Sequence, residues 1–290
     1  MDDQLCYLNG DFVPLTEARI HPLDRGFTFG DGIYEVVKVR DGKLLFLDEH
    51  LRRLEDGLEA VRIPAPAGVR QAALELVERS GVRQGSLFIE ITRGVAPRVH
   101  VPPEDLVPTR FMLAGPHEFQ APGGPGMTAI SRPDWRWGRC DIKSVSLMAT
   151  VLGKLELRGA SASEVIFRGP RGELREGGST NLFVRHGDRW ETHPLGSRVL
   201  PGVTRTLLTE LATRLGQPVV ESSPRLAERE EWREALLCGT LTGVQGLVEL
   251  DGEPIGPGTV GPWTRDLAHA FDRMEAERAD SSTPSRADAR

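Results

Sequence analysis

Residues 117–126 read HEFQAPGGPG and divide the chain into two stretches of more regular pattern. Two prolines and three glycines in ten residues favour a linker over a helix or a strand. A chain of 290 residues is long enough for one domain on each side. We therefore predict two mixed α/β (α+β) domains, a smaller one over residues 1–116 and a larger one over residues 127–274. Residues 275–290 are charged and rich in Ser, Pro and Ala, which predicts a disordered tail.

The stretch before the linker predicts hairpins and two helices. Asn9-Gly10 is typical of a type I′ turn, and the β-branched residues over 33–39 predict a strand. Asp48 is the expected N-cap of a helix whose leucines recur at positions 51, 54 and 58. A second helix is expected over 69–79, and Gly81 would end it. These elements indicate the first mixed α/β domain.

The stretch after the linker predicts further helices and short strands. One helix is expected from about Ser144 to Arg158, and another over 204–215. Short strands are expected near Met127 and also near positions 164, 181, 219 and 236. This alternation indicates the second mixed α/β domain.

The composition excludes several classes of function. The formal net charge of −6 gives no basic field that would favour nucleic acid or an anionic membrane. No run approaches the length of a membrane span, and the N-terminus lacks the basic and apolar pattern of a signal peptide. Three scattered cysteines predict neither a disulfide framework nor a metal site. We expect a cytoplasmic protein without metal, nucleic-acid or membrane partners.

Lysine is scarce in this chain. Lys38, Lys43, Lys143 and Lys154 are the only four, beside 32 arginines, so any side-chain amine nucleophile must be one of them. A lysine is usually a solvated surface charge. Arginine cannot replace it in a Schiff base, however, because the amine must lose its proton. Lys143, in GRCDIKS over 138–144, is the most informative candidate, because it precedes a predicted helix among small and apolar residues.

Two loops, one arginine and one glutamate are suited to a phosphorylated cofactor. Residues 200–204, LPGVT, lead directly into a helix whose N-terminal amides attract anions. Residues 238–243, CGTLTG, form a Gly/Thr loop, and Arg53 offers a charge-assisted bond. Glu176 precedes a glycine turn; it is either a solvated carboxylate or one that keeps a pyridine nitrogen protonated. Arg98 and His100, two residues apart on a proline-containing loop, can both bind one carboxylate, although a surface loop is the equal alternative.

Eight segments in this order resemble the fold-type IV pyridoxal-phosphate aminotransferases, and most of all their D-amino-acid transaminases. The matching segments cover most of the chain and are FGDGIYEVVKV, DEHLRRL, TRGVAPRVH, RWGRCDIKS, LREGGSTNLF, THPLGSRVLPGVTR, CGTLTGV and GPWTRDL. The resemblance implies the two-domain fold of that class, pyridoxal 5′-phosphate as cofactor, and a homodimer with the active site at the subunit interface.

The resemblance also implies roles for individual residues. Lys143 would form the Schiff base and move the proton, and Glu176 would pair with the pyridine nitrogen. The remaining cofactor contacts would come from Arg53, Leu200, Val203, Thr204, Gly239 and Thr240. Tyr34 would line the substrate pocket, and Arg98 with His100 would bind the substrate carboxylate, reaching across from the neighbouring subunit.

The expected activity is ping-pong transfer of an amino group from a D-amino acid such as D-alanine to an α-keto acid such as pyruvate or 2-oxoglutarate. Gly178, Gly239 and Leu241 depart from the D-amino-acid pattern, which leaves (R)-primary amines open as further donors. A branched-chain L-amino-acid aminotransferase and an aminodeoxychorismate lyase share most of these residues and are the alternatives within the class. A non-catalytic ligand-binding protein is the alternative outside it.

Overall fold

The computed structural model describes residues 4–281, which form two compact units. The first unit contains the chain up to Glu118, the short strip Ile142–Ser146, and the end of the last helix from Glu275 onward. The second unit contains Phe119–Asp141 and Leu147–Met274. Each unit combines sheet and helices, so the predicted mixed α/β class is confirmed.

The first unit is built on an antiparallel sheet of six strands in the order β2-β1-β6-β5-β3-β4. Every second residue of its long strands points into an apolar core, as the pleat of a strand requires. The strands are β1 (Leu5–Leu8), β2 (Asp11–Pro14), β3 (Gly32–Arg40), β4 (Lys43–Leu44), β5 (Gln84–Thr92) and β6 (Thr109–Pro116). The helices are α1 (Arg25–Phe29), α2 (Leu47–Ala60) and α3 (Val69–Ser80).

The apolar stripe of α2 faces that core. Leu51, Leu54 and Leu58 are all buried, which follows from their spacing of three and four residues. Asp48 is not the N-cap, because Phe46 takes that position in a left-handed conformation and Asp48 lies in the first turn. There its carboxylate faces the positive end of the helix dipole.

The second unit is built on a sheet that closes on itself. β10 pairs with β13 on one edge and with β9 on the other, and the connecting path runs through β14, β7 and β8. The strands are β7 (Gly123–Pro133), β8 (Glu164–Arg168), β9 (Leu174–Gly177), β10 (Asn181–His186), β11 (Arg189–Thr192), β12 (Val219–Glu221), β13 (Trp232–Gly239), β14 (Gly243–Leu250) and β15 (Glu253–Pro254). The helices are α4 (Met148–Leu155), α5 (Val203–Arg214) and α6 (Pro262–Ser281), of which α6 continues into the first unit.

Part of the expected linker is a strand. β7 begins at Gly123 and pairs in parallel with β14, so the irregular connection is shorter than residues 117–126. The glycines allow this close approach: a Cβ on Gly124 would lie 2.3 Å from Oε1 of Gln245, and one on Gly126 would lie 2.5 Å from Val248. Glycine here serves close packing rather than flexibility.

The expected tail is helical over its first residues. α6 runs to Ser281, and Glu275 is buried in an ion pair with Lys38, whose Nζ lies 2.6 Å from its carboxylate. Two charged residues of this stretch therefore have specific partners, since Arg278 also lies 3.7 Å from Glu49. Residues 282–290 of the expected tail lie outside the described part of the chain.

The helix expected from Ser144 begins four residues later, at Met148. Ser144 instead forms an antiparallel bridge with Ile33 of β3. This bridge holds the residues around Ser144 beside β3, which matters for the site because Lys143 precedes Ser144.

Candidate active site

Lys143 lies on the short strip Ile142–Ser146, which belongs to the first unit and is bridged to β3 through Ser144. Its carbonyl accepts a hydrogen bond from the amide of Tyr34 at 3.0 Å, and Val145 donates to the carbonyl of Gly32 at 3.1 Å. The ammonium of Lys143 lies 4.4 Å from the centroid of the Tyr34 ring. The structure therefore brings together the expected Schiff-base lysine and the expected pocket tyrosine, and a regular backbone pairing fixes both.

A buried ionic cluster lies next to Tyr34 along β3. Glu35 is fully buried and accepts two hydrogen bonds from Arg53, at 2.6 and 2.9 Å. Nδ1 of His50 lies 2.9 Å from the same carboxylate. Burial pushes the pKa of Glu35 upward, but the hydrogen bonds and positive charges of His50 and Arg53 outweigh it and lower the pKa to about 2. Glu35 is therefore a carboxylate anion that orients Arg53, the expected phosphate ligand on α2.

The pKa of His50 lies below its usual range. Burial is the main cause that lowers its pKa, and the charges of Arg53 and Lys143 act in the same direction against the attraction of Glu35. The sequence reading missed both Glu35 and His50. A signal was present, since Glu35 occupies a position on β3 whose side chain faces the apolar core along with Ile33 and Val37.

Arg98 and His100 lie together on the exposed loop between β5 and β6. Both flank one aromatic ring: Cζ of Arg98 lies 5.3 Å from the centroid of Phe29, and the His100 ring lies 5.8 Å from it. Within residues 4–281, Arg98 has no carboxylate partner. The pair is thus a cationic surface of the first unit with room for an anion.

Glu176 lies at the end of β9 in the second unit and is buried. One carboxylate oxygen is bound by Arg136, and the other accepts hydrogen bonds from Nδ2 of Asn181 at 3.0 Å and from the amide of Leu200 at 2.9 Å. Burial raises the pKa of Glu176 to about 6, against the charge of Arg136, which lowers it. At neutral pH the carboxylate is mostly ionised and can hold a protonated nitrogen.

A second ionic chain lies behind Glu176, and the sequence reading missed it. Asp134 accepts hydrogen bonds from Arg136 at 2.9 Å and from Arg175 at 2.7 Å. It thereby aims Arg136 at Glu176. Asp134 and Arg136 are only two residues apart, but their partner Glu176 is 40 residues further on, so no local pattern shows the cluster.

The two expected phosphate loops converge on Asn181. Gly202, the N-cap of α5, approaches so closely that a Cβ there would lie 2.1 Å from Oδ1 of Asn181. Across the sheet Asn181 pairs with Cys238, whose next residue, Gly239, begins the turn to β14. Gly202 has no side chain to cap α5, so the amides of the first turn, beginning with Val203, point outward without a side-chain acceptor.

The donor set of the second unit fits a phosphorylated nitrogen heterocycle. In the part of the chain that the structure describes, the hydroxyls of Thr204 and Thr240 have no hydrogen-bond partner, and both lie beside the open amides of these loops. Such a group of hydroxyls and amides at a helix start is suited to a phosphate. Glu176 offers the acceptor that a protonated ring nitrogen requires.

Two other lysines have ion-pair partners that account for them. Lys38 pairs with Glu275, and Lys154 lies 3.0 Å from Glu164 and 2.9 Å from the hydroxyl of Ser179. The Lys154 contacts brace the glycine turn after Glu176. In that turn a Cβ on Gly178 would lie 2.8 Å from Cε of Lys154, so the side chain of Lys154 leaves little space for a larger residue at this position.

The described residues contain no cluster of His, Cys, Asp and Glu that could hold a metal ion. Nor does any helix among residues 4–281 have the length and apolar character needed to cross a bilayer.

The sequence matches the family described as Amino-transferase class IV over residues 32–250, and the chain belongs to this family. It is an aminotransferase of the fold-type IV class, a class that uses pyridoxal 5′-phosphate. The match includes every expected site residue, from Tyr34 to Thr240.

Similar proteins fall into two groups. A D-alanine aminotransferase of Staphylococcus haemolyticus is 32% identical over 94% of this chain and 98% of its own length, and one of Bacillus licheniformis is 34% identical over 91% and 94%. Among solved structures, the branched-chain amino acid aminotransferase of Escherichia coli superimposes with a TM-score of 0.84, at 22% identity and 94% coverage of both chains. A hypothetical aminotransferase of Mycobacterium tuberculosis in a PLP-bound form gives a TM-score of 0.79, at 20% identity over 94% of this chain and 99% of that one. These structural likenesses establish the fold.

Proposed function

We propose that this aminotransferase transfers the amino group of D-amino acids, such as D-alanine, to α-keto acids such as pyruvate and 2-oxoglutarate. The observation that carries the donor class is the pairing of Arg98 with His100 beside Phe29, a cationic surface suited to a carboxylate. The D-alanine aminotransferases that match nearly the whole chain support the same donor class.

We assign the cofactor contacts as follows. Lys143 would hold pyridoxal 5′-phosphate covalently, and Glu176 would bind its ring nitrogen. Its phosphate would be bound by Arg53, the amide of Val203, the hydroxyls of Thr204 and Thr240, and the loop that begins at Gly239, while Leu200 would pack against the ring. When bound, this group supplies a carbonyl that takes up the amino group and a ring that draws electrons from the substrate carbon.

Residues of the chain would carry out the proton transfer and orient the donor. Nζ of Lys143, released when the donor amine takes its place on the cofactor, would take up the α-proton of the donor as a general base and later give it up as a general acid. Glu176 stays ionised near neutral pH and stabilises a proton on the ring nitrogen. Arg98 and His100 bind the donor carboxylate and thereby decide which α-hydrogen faces Lys143, while Tyr34 lines the pocket.

A donor panel tests the proposal. D-alanine, L-leucine and (R)-1-phenylethylamine are each supplied to the purified enzyme with 2-oxoglutarate, and product formation is followed. We expect D-alanine to give the highest kcat/KM. Preference for L-leucine would refute the donor class.

Reductive trapping tests the role of Lys143. Borohydride should bleach the visible absorption of the bound cofactor and attach it to a single peptide, the one that contains Lys143. The Lys143→Ala variant should carry no label. Label on a peptide with Lys38, Lys43 or Lys154 would refute the assignment.

A branched-chain L-amino-acid aminotransferase is the second candidate, and Gly239 favours it. The best-known D-amino-acid enzymes resemble this chain but carry serine at this position, and in the structure a Cβ on Gly239 would lie 3.1 Å from the carbonyl of Ser179. The lack of a side chain leaves the turn after β13 closer to its neighbour. The L-leucine arm of the donor panel decides between the two candidates.

We further propose a homodimer. α4 exposes a continuous apolar face made of Met148, Val151, Leu152 and Leu155, with Met148 72% exposed. Soluble proteins rarely leave such a face open, and a second copy of the chain would cover it. Light scattering should give twice the chain mass of 31.9 kDa, and Met148→Glu with Leu152→Glu should shift it to the monomer. A wild-type monomer would refute this assembly.

We also propose a cytoplasmic location. The three cysteines are buried free thiols, as expected in a reducing compartment.

A further inference from the structure

Arg25 is a buried arginine whose guanidinium is shared between a carboxylate and the loop of Arg98 and His100. It is 4% exposed and lies at the start of α1. Its Nε donates to Asp31 at 2.8 Å, its Nη1 to the carbonyl of Val99 at 2.7 Å, and its Nη2 to the carbonyl of His100 at 3.2 Å. The planar guanidinium fixes these directions relative to one another, so the backbone between Arg98 and His100 follows the position of Arg25.

α1 also holds the two ends of the same loop. The amide of Arg25 donates to the carbonyl of Gly94 at 2.9 Å, and the preceding Asp24 accepts a hydrogen bond from the hydroxyl of Thr109 at 2.6 Å. Asp24 and Val95 form an antiparallel bridge as well. The loop is thus anchored where it leaves β5 and where it enters β6, and Arg25 adds an anchor at its exposed middle.

The charges of this region leave the guanidinium of Arg98 available to bind a substrate carboxylate. Asp31 balances Arg25, and its pKa is lowered because the hydrogen bonds of Arg93 and Arg25 outweigh the opposing effect of burial. Both guanidinium groups contact the Phe29 ring, whose centroid lies 4.6 Å from Cζ of Arg25 and 5.3 Å from Cζ of Arg98.

We propose that Arg25 is a positioning residue for substrate specificity: it fixes the backbone of Val99 and His100 and so aims Arg98 and His100 at the donor carboxylate. Arg25 itself does not touch the substrate. This inference rests on the proposed function, because it assumes that Arg98 and His100 bind that carboxylate.

Arg93 provides the matched control. It also donates to Asp31, at 2.8 and 2.9 Å, but its remaining hydrogen bonds go to the carbonyls of Val61 and Arg62, away from the exposed part of the loop. Arg93→Ala therefore removes the same kind of charge from the same carboxylate without releasing Val99 and His100.

The experiment compares Arg25→Ala, Arg25→Lys, Arg93→Ala and Arg98→Ala in the holoenzyme. KM and kcat are measured with D-alanine, and amide hydrogen exchange is measured in peptides that cover residues 97–101. We expect Arg25→Ala to raise the KM for D-alanine about ten- to hundredfold, since a misplacement of about 1 Å has such effects, while kcat falls much less. Exchange in the loop should become faster in the same variant.

Arg25→Lys keeps the charge but cannot reach one carboxylate and two carbonyls at once, so it should change KM and exchange in the same direction to a smaller extent. The lysine variant keeps the test valid if Arg25→Ala fails to fold. Arg93→Ala should keep the KM and the loop exchange of the wild type.

The outcomes separate the inference from the proposed function. If Arg98→Ala leaves the KM for D-alanine unchanged, the carboxylate role of the loop is wrong. If Arg98→Ala raises that KM while both Arg25 variants keep it within twofold of the wild type, the positioning role of Arg25 is refuted and the proposed function stands. Equal effects of Arg25→Ala and Arg93→Ala on the KM for D-alanine and on loop exchange would also refute the positioning role of Arg25.

Discussion

The buried carboxylate of Glu35 should carry a large, pH-dependent share of the stability of the first unit. Its pKa lies at about 2 instead of 4.5. Each unit of pKa shift corresponds to about 1.4 kcal/mol, so the shift of about 2.5 units corresponds to about 3 kcal/mol at neutral pH. Because the folded-state pKa is lowered, this stabilisation is present above pH 4.5 and is lost as the pH falls towards 2. At pH 3 roughly half of it should be left.

The perturbation is Glu35→Gln, which keeps the shape of the side chain and removes its charge. We expect the first unit to lose about 3 kcal/mol of unfolding free energy at pH 7, and the gap to the wild type to shrink by about half at pH 3. The exposed Glu55→Gln, on the same helix as Arg53 and His50, is the matched control and should cost almost nothing at either pH.

The assay must report on the first unit. All five tryptophans lie in the second unit, so tryptophan fluorescence does not report on unfolding of the first unit. Pulsed hydrogen exchange across a urea titration, read in peptides from β3 and α2 at pH 7 and pH 3, gives the required midpoint. If Glu35→Gln and the wild type differ in unfolding free energy by the same amount at pH 7 and at pH 3, this electrostatic reasoning is refuted.

Two further predictions concern buried groups. Lys38→Met should destabilise the first unit by about 2 kcal/mol in the same assay, because the buried Glu275 loses its partner at 2.6 Å and keeps Arg40 at 3.6 Å. Adding Glu275→Leu should recover most of the loss, and a double variant as unstable as the single one would contradict a coupled pair. Burial raises the pKa of Cys140 to about 11 and that of Cys238 to about 12, so neither thiol should react with a thiol reagent in the native protein at pH 8. Rapid modification of either peptide, followed by mass spectrometry, would contradict this.

Local patterns were enough to predict several of the regular elements. The leucines of α2 recur on one helical face, Gly81 ends α3 with a φ of 67°, and Asn9-Gly10 joins β1 to β2, all through interactions of residues close in sequence. The family resemblance then supplied Lys143, Glu176 and the phosphate loops.

The features that sequence reasoning missed depend on distant partners. Glu35 meets Arg53 across 18 residues, and Lys38 meets Glu275 across 237. The pairing of Ser144 with Ile33 likewise places the expected helix start in a bridge to β3. In each case the residue type alone predicts a solvated or helical residue, and only the tertiary contact decides otherwise.

The strip Ile142–Ser146 makes the two units inseparable by a single cut. The chain passes between units at residues 118/119, 141/142, 146/147 and 274/275, so the first unit takes material from the middle and the end of the polypeptide. A fragment that stops in the 117–126 region lacks the partner of Ile33 and the partner of Lys38. During synthesis on the ribosome, the first unit therefore cannot complete its fold until nearly the whole chain has emerged. Until the segment with Lys143 is synthesised, the strands of the first unit lack part of the packing that buries them.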